Sequence, residues 1–386
     1  MRTEAWTDNI WTKDNNTVAS EGISPTNING VVGNYNRYSY IRKASLIIEN
    51  LTDNSNIEEK YCKQYIAEAR CLRVMVYSWM ARRWGGVMLV DKLMTPNDEM
   101  KLPRTSEEET YRFMVEELKK AIPDLPTKAN KERFTKGAAL TLLTRVALDG
   151  GLYDEVIAAG KQLFEGEEAA NWTIDPEYRK MFGSYTYPVE SKEIQFYFTL
   201  GDKKQYCDNL LPMYVAGTMA PGRNTKGSNF NEKIDAWCSN WPSHDLSEAY
   251  LAIDVDGDGT AKPYTETARW INAPVKRASI MYSNRDKRMD ATICRDSTPI
   301  EMNTLGNCFW ENTQNHGFMT QSGYMWRKYI YELDNTLPGY QILYNFRYIL
   351  LRLGEASLNY AEALGRKGQI KEAVQFMNQT RVQHGG

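Results

Sequence analysis

The chain has 386 residues, which is enough for a large buried core and, by length alone, for more than one domain. Its 47 Lys and Arg residues nearly balance its 49 Asp and Glu residues, and no block of like charge stands out. This balance gives no electrostatic basis for binding nucleic acid or an anionic membrane, so recognition by shape, ring stacking and hydrogen bonds is expected.

Apolar runs, the N-terminal residues and the cysteines bear on membrane insertion, export and metal binding. No run of 18 apolar residues occurs, so no transmembrane helix is predicted. The first residues lack the regions of a signal peptide, so an exported protein would have lost that segment before this chain begins. The six cysteines form no CxxC pair and histidine is scarce, which argues against zinc. Free buried thiols are expected, with one or two disulfides as the alternative.

After about 35 residues rich in Asn, Thr, Ser and Gly, helical periodicity begins. Gly85-Gly86 ends the second helix, and Thr105-Ser106 followed by Glu108 and Glu109 is typical of a capped helix start. Residues 87–90 are predicted to be extended. The predicted helices span residues 38–51, 57–84, 107–122, 135–148, 153–164, 346–364 and 370–381.

Two of the helical pairs share a pattern, with a glycine in the turn at Gly150-Gly151 and at Gly368. This is the arrangement of tetratricopeptide-like hairpins, although two unrelated hairpins would give the same pattern. The pattern predicts a mostly α fold, a helical hairpin scaffold over residues 36–169 and 341–386.

Between the hairpins, residues 170–340 are rich in Gly, Pro, Asn, Ser and Trp, and their helical periodicity is patchy. A large irregular, loop-rich insertion is expected there, and insertions in repeat scaffolds commonly carry binding. The chain has 10 Trp and 24 Tyr residues, of which most are expected in the core and a minority exposed as stacking platforms.

Several segments resemble the SusD/RagB family of nutrient-binding lipoproteins, in the family's own order. Residues 67–79 read AEARCLRVMVYSW, and residues 83–90 read RWGGVMLV. Further matches are NRDKR at 284–288, GY at 323–324, RKY at 327–329 and LLRLGEASLNYAEAL at 350–364. Cys71 replaces the family's usual Phe, Met88 its Pro, and Ser45 its frequent Asn. Family members usually continue beyond both ends, so the resemblance predicts that this chain is a processed or truncated form.

The resemblance implies one SusD-like domain over residues 1–386 and a function in nutrient capture rather than catalysis. The implied protein sits on the extracellular face of the outer membrane through an N-terminal lipid anchor, which this chain lacks. It would bind oligosaccharide or polysaccharide and pass it to a SusC-like TonB-dependent transporter. One group of repeat helices would contact that transporter.

Aromatic and amide side chains in the irregular segments are the candidate glycan ligands. A ring face can cover the C–H face of a pyranose while polar edges bond its hydroxyls. Trp310 is the first choice because it lies between the NRD and GY segments. The full set is Trp310, Trp11, Asn34, Tyr35, Tyr38, Trp237 and Trp241.

A calcium site is a further hypothesis, although no cofactor is required for the proposed binding. Asp254, Asp256, Asp258 and Thr260 alternate as in the start of a calcium loop, and Gly259 occupies the sixth position. The expected bidentate Glu is displaced by one residue to Glu266. An acidic β-turn is the alternative.

Three other functions stay open at this point. Peptide capture, as in the RagB branch, is an alternative within the binding class, and a helical protein–protein scaffold without a small ligand is another. A glycoside hydrolase has the weakest support, since no GxSxG, HExxH, P-loop or GxGxxG motif occurs.

Overall fold

The computed structural model describes residues 7–12, 36–54, 56–200, 240–295, 298–302, 306–310, 320, 322–334 and 346–386. The long helices are α1 (Tyr38–Thr52), α2 (Glu59–Trp84), α3 (Glu107–Ala121), α4 (Lys136–Asp149), α5 (Tyr153–Phe164), α6 (Leu353–Arg366) and α7 (Ile370–Gln383). Short α-helices span Tyr178–Gly183, His244–Ala249, Ala268–Ile271, Ala278–Met281 and Lys287–Thr292. In the described ranges, no helix is both long and apolar enough to cross a membrane.

Within the described residues, ten strands form five antiparallel pairs, each of two strands. The pairs are β1 (Ile10–Thr12) with β3 (Asn240–Pro242), β2 (Ile194–Leu200) with β10 (Phe346–Arg352), β4 (Ala252–Ile253) with β5 (Ala261–Lys262), β6 (Ile293–Arg295) with β9 (Tyr324–Trp326), and β7 (Thr298–Met302) with β8 (Gly306–Trp310). Strands β2 to β9 lie within residues 170–340. The predicted irregular insertion therefore contains more β-strand structure than expected.

The predicted helix starts and ends have clear local causes. Ser106 accepts a hydrogen bond from the backbone N–H of Glu109, whose carboxylate accepts one from the backbone of Ser106, so a full capping box begins α3. Thr135 caps α4 through the N–H of Ala138. Gly85, with φ +70°, ends α2. These residues confirm the predicted boundaries to within a few positions.

The long helices pack as helical hairpins around a main core, with smaller buried clusters in the first and last helical pairs. Each of α1 to α5 contacts the next along the chain, and α6 packs on α4, α5 and α7. The core combines small and aliphatic side chains with aromatic ones, among them Cys71, Val74, Met114, Ala356, Tyr77 and Phe134. The predicted mostly helical hairpin fold is therefore confirmed.

The prediction of one helix from residue 346 to 364 is wrong at its start. Phe346–Arg352 is strand β10, and α6 begins only at Leu353. The strand pairs with β2, where Ile349 faces Tyr197. Arg145 of α4 also donates to the Leu350 carbonyl. Partners distant in sequence thus decide the conformation of a segment whose residue types also suit a helix.

Cys62, Cys71 and Cys294 are free and buried, as expected. Burial raises the pKa of the Cys294 thiol to about 12, so this thiol stays protonated and unreactive at neutral pH. Cys207 and Cys238 lie outside the described residues, as does the side chain of Cys308.

Candidate functional site

Aromatic and polar side chains gather where β3, β9 and the helix His244–Ala249 meet. We call this region the aromatic surface. Its outer side chains are Trp11, His244, Glu248, Tyr264 and Trp270, and behind them lie Tyr282, Tyr324 and Arg285.

Strand pairing positions one end of the aromatic surface. In β1, Trp11 pairs with Trp241 of β3, and the Ser243 N–H donates to the Asn9 carbonyl at 2.9 Å. Ser243 then caps the helix by accepting from the Leu246 N–H. This short stretch connects β3, which pairs with the strand that carries Trp11, directly to the helix that carries His244.

His244 is held by two neighbours of different chemistry. Its ring stacks on Tyr324, with centroids 6.1 Å apart and planes at 13°, and its Nε2 lies 3.2 Å from the Glu248 carboxylate. The hydroxyl of Tyr324 lies 2.9 Å from that of Tyr282. Since Tyr324 is buried behind His244, the imidazole and the carboxylate present their outer edges to solvent.

Tyr264 and Trp270 form the second half of the surface. Trp270 lies edge-on to Tyr264 at 4.9 Å, and the guanidinium of Arg285 lies 5.0 Å from the Tyr264 centroid. Arg285 also donates to the carbonyls of Tyr250, Met281 and Ser247, which fixes it in place. Burial and the nearby Glu248 carboxylate raise the pKa of Tyr264, so its phenol is a neutral donor at pH 7.

This combination suits a neutral, hydroxylated ligand better than a charged one. Half-buried or exposed rings offer apolar faces, while an imidazole, a carboxylate and a phenol offer hydrogen bonds at their margins. The rings are also held from behind, which reduces the entropy lost when a ligand binds.

Five of the seven predicted ligands fall into three groups. Trp11 is 61 % exposed and belongs to the aromatic surface. Asn34, Tyr35 and Trp237 lie outside the described residues. Trp310 lies in β8 opposite Thr298, but its side chain is also outside the described part.

Two of the predicted ligands need separate comment. Trp241 is only 3 % exposed, so its ring offers no open face for stacking, which corrects its assignment as a stacking platform. Its strand β3 pairs with β1 and also lies against β9. Tyr38 is half-buried, and its hydroxyl donates to the Met88 carbonyl at 3.0 Å. It lines a separate cleft of about 380 Å³ that shares no residue with the aromatic surface.

Sequence reasoning missed Glu248, Tyr264 and Trp270. A usable signal was present, because Ser243 is a good N-cap and His244 and Glu248 are then four apart on one helical face. Tyr264 and Trp270 carried no such local signal, since their proximity depends on a 3₁₀ turn at Tyr264–Glu266 followed at once by the helix Ala268–Ile271.

The acidic loop between β4 and β5 directs its carboxylates to protein cations. Lys262 lies 3.0 Å from Asp254 and 2.9 Å from Asp258, and Arg269 lies 2.6 Å from Asp256. Among the described residues, no group of three His, Cys, Asp or Glu side chains is arranged to hold a metal. This arrangement fits calcium poorly, since an ion would have to displace Lys262; calcium binding there stays a prediction.

A second surface feature is an apolar cleft of about 530 Å³ between α1 and α2, which we call the helical cleft. Its exposed apolar side chains include Tyr40, Ile47 and Leu72, and Phe198 of β2 also lines it. Contiguous exposed apolar surface on a folded domain commonly marks a contact with another molecule.

Two family models match the chain. One, described as "SusD family", matches residues 211–382, and the other, described as "Starch-binding associating with outer membrane", matches residues 2–148. A curated "SusD-like protein" from Bacteroides ovatus is 28 % identical over 210 residues, covering 51 % of this chain and 38 % of the relative. The match thus spans well under half of that relative's length.

Solved structures match over the whole chain. A SusD-like protein from Bacteroides fragilis is 25 % identical with a TM-score of 0.77, covering 100 % of this chain and 75 % of that one. A SusD-like carbohydrate binding protein from the same species is 22 % identical, also with a TM-score of 0.77, covering 100 % and 72 %. The second likeness concerns the fold alone.

Proposed function

Because the chain belongs to the SusD/RagB family, we propose that it binds glycan at the cell surface and delivers it to a SusC-like TonB-dependent transporter. The aromatic surface is the observation that carries this proposal. The family consists of binding proteins, in agreement with the prediction that the chain is not an enzyme.

Glycan recognition follows from the chemistry of the surface. The exposed ring of Trp11 provides an apolar face for a pyranose, and Trp270 and Tyr264 provide two more. His244 can donate a hydrogen bond to a sugar hydroxyl or accept one from it, and the Glu248 carboxylate can accept one. The family model that matches residues 2–148 is described as starch-binding, which supports the same ligand class.

Alanine at Trp11 or Trp270 is expected to weaken glycan binding about 30-fold, since truncating a binding-site Trp commonly costs about 2 kcal/mol. Isothermal titration calorimetry with a hit from a glycan array measures the effect. Trp310→Ala belongs to the same series, as the first choice from sequence.

The matched control is Tyr61→Ala, an exposed ring on α2 remote in sequence from the aromatic surface. It is expected to leave glycan affinity unchanged. Wild-type affinity in both Trp11→Ala and Trp270→Ala would remove the aromatic surface as the binding site. Release of reducing sugar from the array hit would favour a hydrolase instead.

The partner and location are the finer parts of the proposal. The helical cleft is the best-supported docking face for the transporter, because its apolar side chains are exposed on the repeat helices. Outer-membrane association is supported by the description of the family model that matches residues 2–148. A lipid anchor preceding this chain would supply the attachment.

A further inference from the structure

The helical cleft carries positive charge at its rim. The guanidinium of Arg37 lies 4.7 Å from the ring centroid of Trp79, and that of Arg83 lies 4.2 Å from the same centroid. The ammonium of Lys43 lies 5.7 Å from the Tyr40 ring. The three cations therefore border the apolar side chains rather than project away from them.

Arg37 and Lys43 bring positive charge to the wall of the cleft. Among the described residues that line the cleft, none carries a carboxylate. In the part of the chain that the structure describes, no ion pair joins Arg37 or Lys43 to an acidic side chain. Burial, together with the like charges of Arg82 and Arg37, lowers the pKa of Arg83, as expected where cations face each other.

The floor of the cleft has room for a side chain. Ala44 of α1 and Ala69 of α2 are small and buried where the two helices approach. Ile47, Leu72 and Phe198 stand around them as partly exposed walls. A groove with apolar walls accepts an apolar anchor from a protein segment, as in helix-in-groove recognition. A flat lipid surface would not fill such a groove.

We propose that the helical cleft receives an acidic amphipathic segment of a partner protein, whose apolar anchor fills the groove while its carboxylates pair with Arg37 and Lys43. The inference rests on the proposed function, in which the partner is the SusC-like transporter. Complementary charge at the rim would speed association and reject segments of the wrong sign.

Site-specific photo-cross-linking tests the chemistry of the partner directly. Tyr40→p-benzoylphenylalanine is introduced into the full-length protein in cells that make the SusC-like transporter, and cross-linked peptides are sequenced by mass spectrometry. The expected adduct is a transporter peptide with Asp or Glu beside an apolar residue. Arg37→Glu with Lys43→Glu is expected to reduce its yield at least tenfold.

Two controls use the opposite end of the scaffold. Lys371→Glu reverses an exposed cation on α7 and is expected to leave the yield unchanged. The photoreactive residue at Val382, which is also exposed, is expected not to capture the same peptide.

Each other outcome is informative. A transporter peptide without acidic residues would overturn the inference but leave the proposed docking intact. Lipid adducts alone would replace the protein partner with a membrane. No adduct at Tyr40 would remove the cleft as a docking site, while glycan binding would still stand or fall on the Trp11 and Trp270 variants.

Discussion

Replacing Glu193 with glutamine is expected to lower the free energy of unfolding by about 3–5 kcal/mol, the usual cost of breaking a buried ion pair from one side. Glu193 is completely buried. One carboxylate oxygen lies 2.6 Å from the Arg352 guanidinium, and the other 2.7 Å from His384 Nε2. The second oxygen also accepts from the Asp175 N–H. An amide cannot satisfy all three donors.

The same residue predicts how stability depends on pH. Burial alone would raise the pKa of Glu193, but the His384 hydrogen bond and the Arg352 charge outweigh it, so the pKa lies below its ordinary value. A depressed carboxyl pKa contributes stability above the ordinary value near 4.5, and that contribution is lost as pH falls through the lower folded-state value. The difference between wild type and Glu193→Gln should therefore shrink in acid.

Urea denaturation at pH 7 and at about pH 3 measures both effects. Glu362→Gln is the matched control, since its pair with Arg366 is exposed on α6 and an exposed pair contributes about 0.3–0.5 kcal/mol. A loss below about 1 kcal/mol for Glu193→Gln at pH 7 would show that the buried network is unimportant.

The long helices could be predicted because their determinants are local. Ser106, Thr135 and Gly85 each act within four residues of the helix end that they define. Strand β10 could not be predicted in the same way, because its partner β2 lies about 150 residues earlier in the chain. Residue type alone does not distinguish a strand from a helix start when the deciding hydrogen bonds are that distant.

In the candidate site, too, distant parts of the chain decide what the sequence alone could not predict. Trp11 and Trp241 are the same residue type on paired strands, yet one is open and the other buried. β3 also lies against β9, about 80 residues later in the chain, and no local pattern reveals such a neighbour. Tyr264, Trp270 and Glu248 come together through short turns, so only the folded chain brings them to one surface.

Replacing Gly86 with alanine is expected to destabilise the protein by about 3 kcal/mol or more, at the upper end of overpacking costs. A Cβ at this position would lie 1.9 Å from the Thr105 carbonyl oxygen and 2.8 Å from the Ser106 carbonyl carbon. Both are backbone atoms, so no side-chain rotation can relieve the clash. The Gly-Gly pair that ends α2 is thus required by close backbone approach as well as by the positive φ of Gly85.

The backbone around Gly86 is also held in place by hydrogen bonds. The Thr105 N–H and hydroxyl both donate to the Val87 carbonyl, at 3.0 and 2.7 Å. The Val87 N–H in turn faces the Thr110 hydroxyl at 3.3 Å. Moving the 105–106 backbone to admit a methyl group would break these bonds at the start of α3, so the cost cannot be avoided by a small shift.

Urea denaturation measures the loss of stability in Gly86→Ala. In the same experiment, Gly365→Ala is expected to change the free energy of unfolding in the opposite direction. Gly365 lies in α6, and a Cβ there would meet only the Ala373 methyl at 3.8 Å, an ordinary contact. Because alanine is favoured over glycine in a helix by roughly 0.5–1 kcal/mol, this variant is expected to be slightly more stable than wild type in urea. If Gly86→Ala were as stable as wild type, residues 85–87 would not lie in close contact with the start of α3. The packing of the end of α2 against α3 would then be wrong.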